Sequence, residues 1–509
     1  MLEFDPSPCF IYRERHPADM LFTSAEYILF LPLIVLLFWI LPKAARLPML
    51  LIASYYFYMS FIPQFILLIL PMTLANWLWG KVLAKDHTNK KLLGIGIAFN
   101  LIILAVFKYA NFFADTAGNI VHLSGHANPH WTLNIILPLG ISFFTFEFIH
   151  YLFEIYRGNK PIDSFVLFAL FAAFFPTQIA GPIKRYPDFV EQMQADNKLK
   201  LSYFDEGVPL IVIGMAKKLL LADNLAIFVQ MGMDKGAVVN YSGLELWVFA
   251  YAFAFQIYFD FSGYTDVGRG SAMLFGYHIP INFNMPYIAK NMADFWHRWH
   301  ISLSTWLRDY LFIPLGGSRG SRWQTNRNLF LTMALGGLWH GASWNFVVWG
   351  VFHGLALIVH REFTAFVKSV AAFKAIYENA VFAQFWRIFS LLLTFHAVCI
   401  GWVFFRIQDI GMAWTMVRRM LTLRPFYSIP GPGPEHFLIM KQELPVIVPV
   451  VLIMVAILVL TNWPVSFLNE KRVFQKMPAF VQAAFCAVVI MAIITFLPDN
   501  SQPFIYFQF

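Results

Sequence analysis

The sequence predicts an all-α polytopic membrane protein, and three observations carry that prediction. Of 509 residues, 59% are hydrophobic and only 13% are charged, against roughly a quarter charged in soluble domains. Apolar runs near the ~20 residues that a helix needs to cross a bilayer recur along the chain. Basic residues gather between those runs, where cytoplasmic loops belong. A soluble domain is thereby excluded. The net charge of +8, from 37 Lys and Arg against 29 Asp and Glu, reads as basic loops and calls for no nucleic acid. Cys9, Cys399 and Cys486 have neither metal nor disulfide spacing.

Residues 1–19 are polar and mixed in charge. They read as an N-terminal extension or a mis-assigned start ahead of Met20, without the basic and apolar segments of a cleaved signal. Residues 20–498 read as one membrane domain, and 499–509 as a C-terminal aromatic tail. The clearest apolar runs are 27–42, 49–72, 92–107 and 444–460, within roughly a dozen candidate spans. Lys43 and Arg46, then Lys81, Lys85, Lys90 and Lys91, then Arg157 and Lys160 mark cytoplasmic loops, so the chain begins outside. The polar stretch 181–200 reads as a cytoplasmic loop with a surface helix, and spans near 207–222 and 243–260 follow it. Arg406, Arg418, Arg419 and Arg424 leave the topology of 386–444 open. No sequence repeat points to the paired halves of many transporters.

The segment 285–327, "MPYIAKNMADFWHRWHISLSTWLRDYLFIPLGGSRGSRWQTNR", interleaves apolar and charged residues at helical spacing. That predicts amphipathic helices in the cytoplasmic interface or dipping into the bilayer. The next run, "NLFLTMALGGLWHGASWNFVVWGVFHG" (328–354), carries His340. It lies about 12 residues past Arg327, roughly 18 Å along a helix and so near mid-bilayer. An ionisable group at that depth marks a functional site facing a cavity. The alternative is a neutral histidine hydrogen-bonded between helices. Asp294, His297 and His300, at i, i+3 and i+6, fall along one side of a helix. They allow a divalent metal site, although no C-x-x-C or H-E-x-x-H accompanies them. They also allow an interfacial capping network. A third reading pairs His300 with His340 as acid–base and positioning groups, since imidazole titrates near neutrality.

These residues carry a resemblance. "MLFTSAEYILF" (20–30), "LPLGISFFTFEFIHYLFEIYRG" (137–158), "FFPTQIAGPIKRY" (174–186), "FDFSGYTDVGRGSAMLFGYHIPINFNMPY" (259–287), "FWHRWHISLSTWLRDYLFIPLGG" (295–317) and "GLWHGASWNFVVWGVFHG" (337–354) are similar to the successive signature blocks of one family. The chain resembles the membrane-bound O-acyltransferases, in their bacterial alginate and exopolysaccharide O-acetylating branch. Thr177 interrupts a run that is often Phe-Pro-Gln. The resemblance implies a bundle of about eleven membrane helices with re-entrant and amphipathic cytoplasmic helices, its histidine core at about 285–360. It implies a funnel on each side narrowing to a histidine. It maps the family's membrane histidine onto His340 and its second functional position onto His300.

It further implies acetyl-CoA as the cytoplasmic donor, no bound cofactor or metal, and a bacterial inner-membrane location among lipids. The acetyl group would pass to a periplasmic SGNH-hydrolase-like acetyltransferase that esterifies a polysaccharide. The basic segment 285–327 would attract the donor's phosphates, with Arg298, Arg308 and Arg319 as candidates.

The tail reads "SQPFIYFQF", with Phe504, Tyr506, Phe507 and Phe509 in its last six positions. One reading is an aromatic anchor at the headgroup layer. The other is a segment folded back toward His340. Its Phe-x-Tyr-x-x-Phe pattern resembles the C-terminal motif of the small protein that accompanies the related teichoic acid D-alanylation transferase, where the tyrosine is proposed to carry the acyl group. On that reading His340 deprotonates Tyr506, which relays the acetyl group. Competing functions are acylation of another envelope polymer (peptidoglycan or teichoic acid), a transporter of an acyl donor or lipid-linked sugar, and a non-enzymatic scaffold.

Overall fold

The structure is a computed structural model that describes residues 20–125, 133, 135–179, 181–234, 237–422, 476–496 and 503–505. The extension 1–19, the apolar run 444–460, Arg424 and Tyr506 lie outside these residues. The described chain is helical, with no strand.

α1 (Ala25–Ile40) starts where the Ser24 hydroxyl accepts the Tyr27 N–H at 3.2 Å, a side-chain N-cap. The apolar run 49–72 divides between α2 (Lys43–Met59) and α3 (Ile66–Lys85). The break falls just before Pro63, which opens a short 3-10 turn, because proline restricts the residue preceding it. α4 (Lys90–Leu104) runs through a π-helical turn, Ala105–Tyr109, into α5 (Ala110–Leu123). α6 (Ile141–Tyr156), α7 (Phe165–Ala173), α8 (Tyr186–Gln194) and α9 (Leu201–Ala216) follow. A second π turn, Lys217–Ala222, leads into α10 (Asp223–Met233).

α11 (Gly243–Met273) begins with a capping box of Ser242 and Glu245. The amphipathic segment forms α12 (Met292–Arg298), α13 (Ile301–Leu307) and a third π turn, Arg308–Phe312. α14 (Arg322–His340) also starts with a capping box, Ser321 and Gln324. α15 (Trp344–Ser369), α16 (Ala371–Glu378), α17 (Ala380–Arg406), α18 (Ile410–Thr422) and α19 (Ala479–Phe496) complete the described helices.

Among the described residues six helices are long and apolar enough to cross a membrane: Pro63–Lys85, Lys90–Leu123, Gly243–Met273, Trp344–Ser369, Ala380–Arg406 and Ala479–Phe496, with α1 shorter but apolar. This is an all-α polytopic membrane protein. α11 is central. α9 and α10 pack along it, and α17 and α18 also touch it. The α9–α11 seam is built from paired glycines: a Cβ on Gly270 would lie 2.6 Å from the Gly207 carbonyl, and one on Gly263 2.6 Å from that of Gly214. Only glycine permits backbones to approach so closely in a membrane bundle.

α14 and α15 form a helical hairpin, joined at residues 341–343, with Gly337 against Gly350. The segment 285–321 dips inward: Trp299 and Trp306 belong to the buried core, while Arg308 and Arg319 remain outside. α8 likewise buries one face, through Tyr186, Phe189, Val190 and Met193.

Candidate active site

His340 is the last residue of α14, at the tip of the α14–α15 hairpin. It is 5% exposed. The helix runs unbroken from Arg327, and His340 sits at its end and not within a helix that continues. Among the described residues three aromatic rings flank it: Trp339 at 5.0 Å, Trp349 at 5.0 Å and Phe405 at 5.3 Å between centroids. Among the described residues the buried indole N–H groups of Trp339 and Trp349 have no acceptor.

A helix end leaves its last carbonyls without intrahelical partners. Here the π turn between α4 and α5 supplies the donors. The Tyr109 hydroxyl donates to the Leu338 carbonyl at 2.8 Å. The Lys108 ammonium donates to the Trp339 and His340 carbonyls at 2.6 and 3.2 Å, and to the Ser142 hydroxyl at 3.4 Å. A cation at a helix C-terminus also meets the negative end of the helix dipole. Lys108 therefore fixes the backbone that carries His340. Sequence reasoning missed it. The signal was a lysine directly after the apolar run 92–107, an ionisable group at membrane depth.

His300 is fully buried, in the turn between α12 and α13, at φ 43° and ψ 55°. A non-glycine residue in this left-handed region carries backbone strain, and it persists only where the surroundings over-determine it. Asn282 does so. Its carbonyl accepts the Ile301 N–H at 3.0 Å. Its side-chain oxygen accepts the Ser302 N–H at 3.2 Å and the Ser302 hydroxyl at 2.6 Å. The His300 ring stands edge-on to Phe261 at 4.6 Å and lies 6.4 Å from Trp339, the neighbour of His340. Both predicted histidines thus border one aromatic enclosure.

The shared helix face for Asp294, His297 and His300 is corrected. α12 ends at Arg298, and the left-handed turn points His300 inward while His297 stays exposed. Asp294 instead pairs with Arg298 at 2.6 Å. Among the described residues no group of three His, Cys, Asp or Glu side chains is arranged to hold a metal. Of the three arginines proposed for donor phosphates, Arg298 also donates to the Asn284 carbonyl at 3.2 Å, Arg308 pairs with Asp309 at 2.7 Å, and Arg319 is exposed. Arg157 and Arg185 join the Asp309 cluster, the latter at 2.8 Å.

A second feature the sequence did not disclose is the buried ion pair of Lys184 with Glu147, at 2.7 Å. Lys184 also donates to the Thr177 hydroxyl at 2.8 Å. Thr177, the departure from the usual run, thus helps to satisfy a buried cation tying α6 to the segment before α8. Tyr506 lies outside the described residues. The two residues before it, Phe504 and Ile505, are 2% exposed and belong to the main hydrophobic core.

Residues 89–402 match the model of MBOAT, the membrane-bound O-acyltransferase family. The chain belongs to that family and is a membrane-embedded O-acyltransferase. Among curated proteins it is 40% identical over 410 residues to "Probable alginate O-acetylase AlgI" of Pseudomonas aeruginosa, covering 79% of this chain and 75% of that protein. It is 35% identical over 440 residues to the peptidoglycan O-acetyltransferase of Helicobacter pylori, covering 79% of this chain and 80% of that protein. It is 33% identical over 298 residues to the teichoic acid D-alanyltransferase of Bacillus subtilis, covering 56% of this chain and 71% of that protein.

Proposed function

We propose that this protein moves an acetyl group from cytoplasmic acetyl-CoA across the bacterial inner membrane, for O-acetylation of a secreted polysaccharide such as alginate. The observation that carries the reading is His340, buried in an aromatic enclosure at the capped tip of α14. Coenzyme A is too large and too charged to cross a bilayer, whereas an acetyl group is not. A buried histidine reached from both faces lets only the acetyl group pass. Arg298, Arg308 and Arg319 serve the donor's phosphates from the cytoplasmic face, by long-range attraction and direct contact.

In the proposed chemistry a ring nitrogen of His340 takes the proton from the Tyr506 hydroxyl, whose ordinary pKa is about 10. The phenolate oxygen attacks the thioester carbonyl, and the C–S bond breaks. The coenzyme A thiolate leaves and takes the proton from the His340 imidazolium. His300 positions the reacting groups. The tyrosyl ester then gives its acetyl group to a nucleophile on a periplasmic SGNH-hydrolase-like partner, and the phenol is regenerated. A phenyl ester is reactive enough for this second step. The 40% identity to alginate O-acetylases favours a polysaccharide as the final acceptor over peptidoglycan or teichoic acid.

The test is peptide mapping after incubation with labelled acetyl-CoA, on wild type, His340→Ala and Tyr506→Phe. The expected result is label on Tyr506 that requires His340. Coenzyme A release that persists unchanged in Tyr506→Phe, with no labelled tail peptide, overturns the relay. Release that persists unchanged in His340→Ala overturns the enzymatic role given to that residue.

A further inference from the structure

α11 carries a second polar cluster. Asp260 on α11, Lys218 in the second π turn and Asp223 at the start of α10 are all buried. The Lys218 ammonium lies 2.8 Å from Asp260 Oδ1 and 2.7 Å from Asp223 Oδ1. The other Asp260 oxygen, Oδ2, accepts the backbone N–H of Ile505 at 2.6 Å. That is a short, charge-assisted hydrogen bond in a low-dielectric interior.

The same helix face supplies an aromatic seat. Tyr264, one turn beyond Asp260, stacks on Phe504 at 4.3 Å and 22°, and carries Phe22 on its other face at 4.3 Å. Phe261 packs against Phe504 at 5.9 Å and edge-on against the His300 ring at 4.6 Å. The tail segment therefore meets a clamp for one amide and a plate for one ring, and the Phe261 ring wall is shared with His300.

We propose that Asp260, held in place by Lys218, is a positioning residue that fixes the register of residues 503–505 on α11 and, through them, the place of the next residue, Tyr506. The geometry assigns a binding site for a short peptide segment, recognised by a backbone amide and an aromatic side chain one residue before it. Its catalytic consequence rests on the relay proposed above; the clamp itself does not. A carboxylate suits the task because it accepts a backbone N–H whatever side chain follows. The Ile505 side chain does not supply the bond, so the clamp reads position along the tail.

The decisive variant is Ile505→Pro in the full-length protein. It deletes the single N–H while leaving Asp260, Lys218 and Asp223 untouched. Two readouts are taken: hydrogen–deuterium exchange of the tail peptide, read at the Phe504 amide in Ile505→Pro and at the Phe504 and Ile505 amides in the variants that keep both, and kcat and KM for labelled acetyl-CoA. The expected result is loss of exchange protection in the tail peptide. With it comes a fall in kcat of about ten-fold or more at a KM within about two-fold, since small misplacements of a reacting group have that effect.

Asp260→Asn gives the same direction through the other partner, and Ile505→Val, which keeps the N–H, retains the protection. Wild-type protection in Ile505→Pro overturns the clamp. Lost protection with wild-type kcat overturns the positioning role. If Tyr506→Phe retains full turnover, the relay falls, and the exchange readout still decides the clamp.

Discussion

His340 closes a long helix, and His300 opens a short one. The first has an ordinary helical environment behind it, and its backbone is steadied from outside by Lys108 and Tyr109. The second has its own backbone at φ 43°, locked by Asn282. One ring is placed by relieving an electrostatic problem, the unmet carbonyls of a helix end. The other is placed by holding strain. The difference teaches that a residue can be aimed into a membrane interior by two separate means, and that substitutions should separate them.

The largest effect is expected at His300. His300→Ala removes the ring and keeps the strain, whereas His300→Gly removes both. Acetyl transfer should fall about 100-fold in each, the scale of a lost acid–base or positioning group. His300→Gly should nevertheless be more stable than His300→Ala by about 1 kcal/mol, the left-handed penalty that glycine avoids. Denaturation in detergent measures the second and labelled acetyl-CoA turnover the first. An active His300→Gly would reduce His300 to a backbone device and erase the contrast.

A smaller effect belongs to the cap. Lys108→Met leaves the Trp339 and His340 carbonyls without that donor, at a cost of about 1–3 kcal/mol for buried groups. We expect kcat to drop by about ten-fold with KM for acetyl-CoA unchanged, because a loosened helix end displaces His340, the base of the proposed relay. Lys108→Arg should recover part of the loss. Wild-type kcat in Lys108→Met would show that α14 holds His340 without help.

The smallest effect is expected far from both histidines. Arg308→Ala should raise KM for acetyl-CoA by about two- to five-fold, more at low salt than at high, as expected for an exposed charge attracting an anionic donor. An unchanged KM at every salt concentration would remove Arg308 from the donor site.

The helical membrane fold was legible because hydropathy acts over whole segments: of the clearest runs, 27–42 survives as α1 and 92–107 in the continuous α4–α5 helix, while 49–72 divides between α2 and α3. His340 was legible because an imidazole among Leu, Trp and Gly is conspicuous at any register. His300 was singled out in the sequence, but its direction was not legible there. The i, i+3, i+6 argument assumes a continuing helix, and α12 ends two residues too early for it. Lys108 escaped because its partners are backbone carbonyls 231 and 232 positions away, which no local pattern encodes. Asp260 escaped for the same reason: its partner in the tail is an amide, common to every residue but proline.

The ion pairs of α11 also bear on how its neighbours can be seated. A lone Lys or Asp at the centre of a membrane helix raises the cost of insertion by about 2.5–3.5 kcal/mol. Lys217 meets Asp266 at 2.6 Å and Lys218 meets Asp260 at 2.8 Å, so each helix carries the charges that neutralise its neighbour. The pairing of these charges therefore couples the packing of the Lys217–Ala222 turn to that of α11, so that neither can be seated in the bundle without the other.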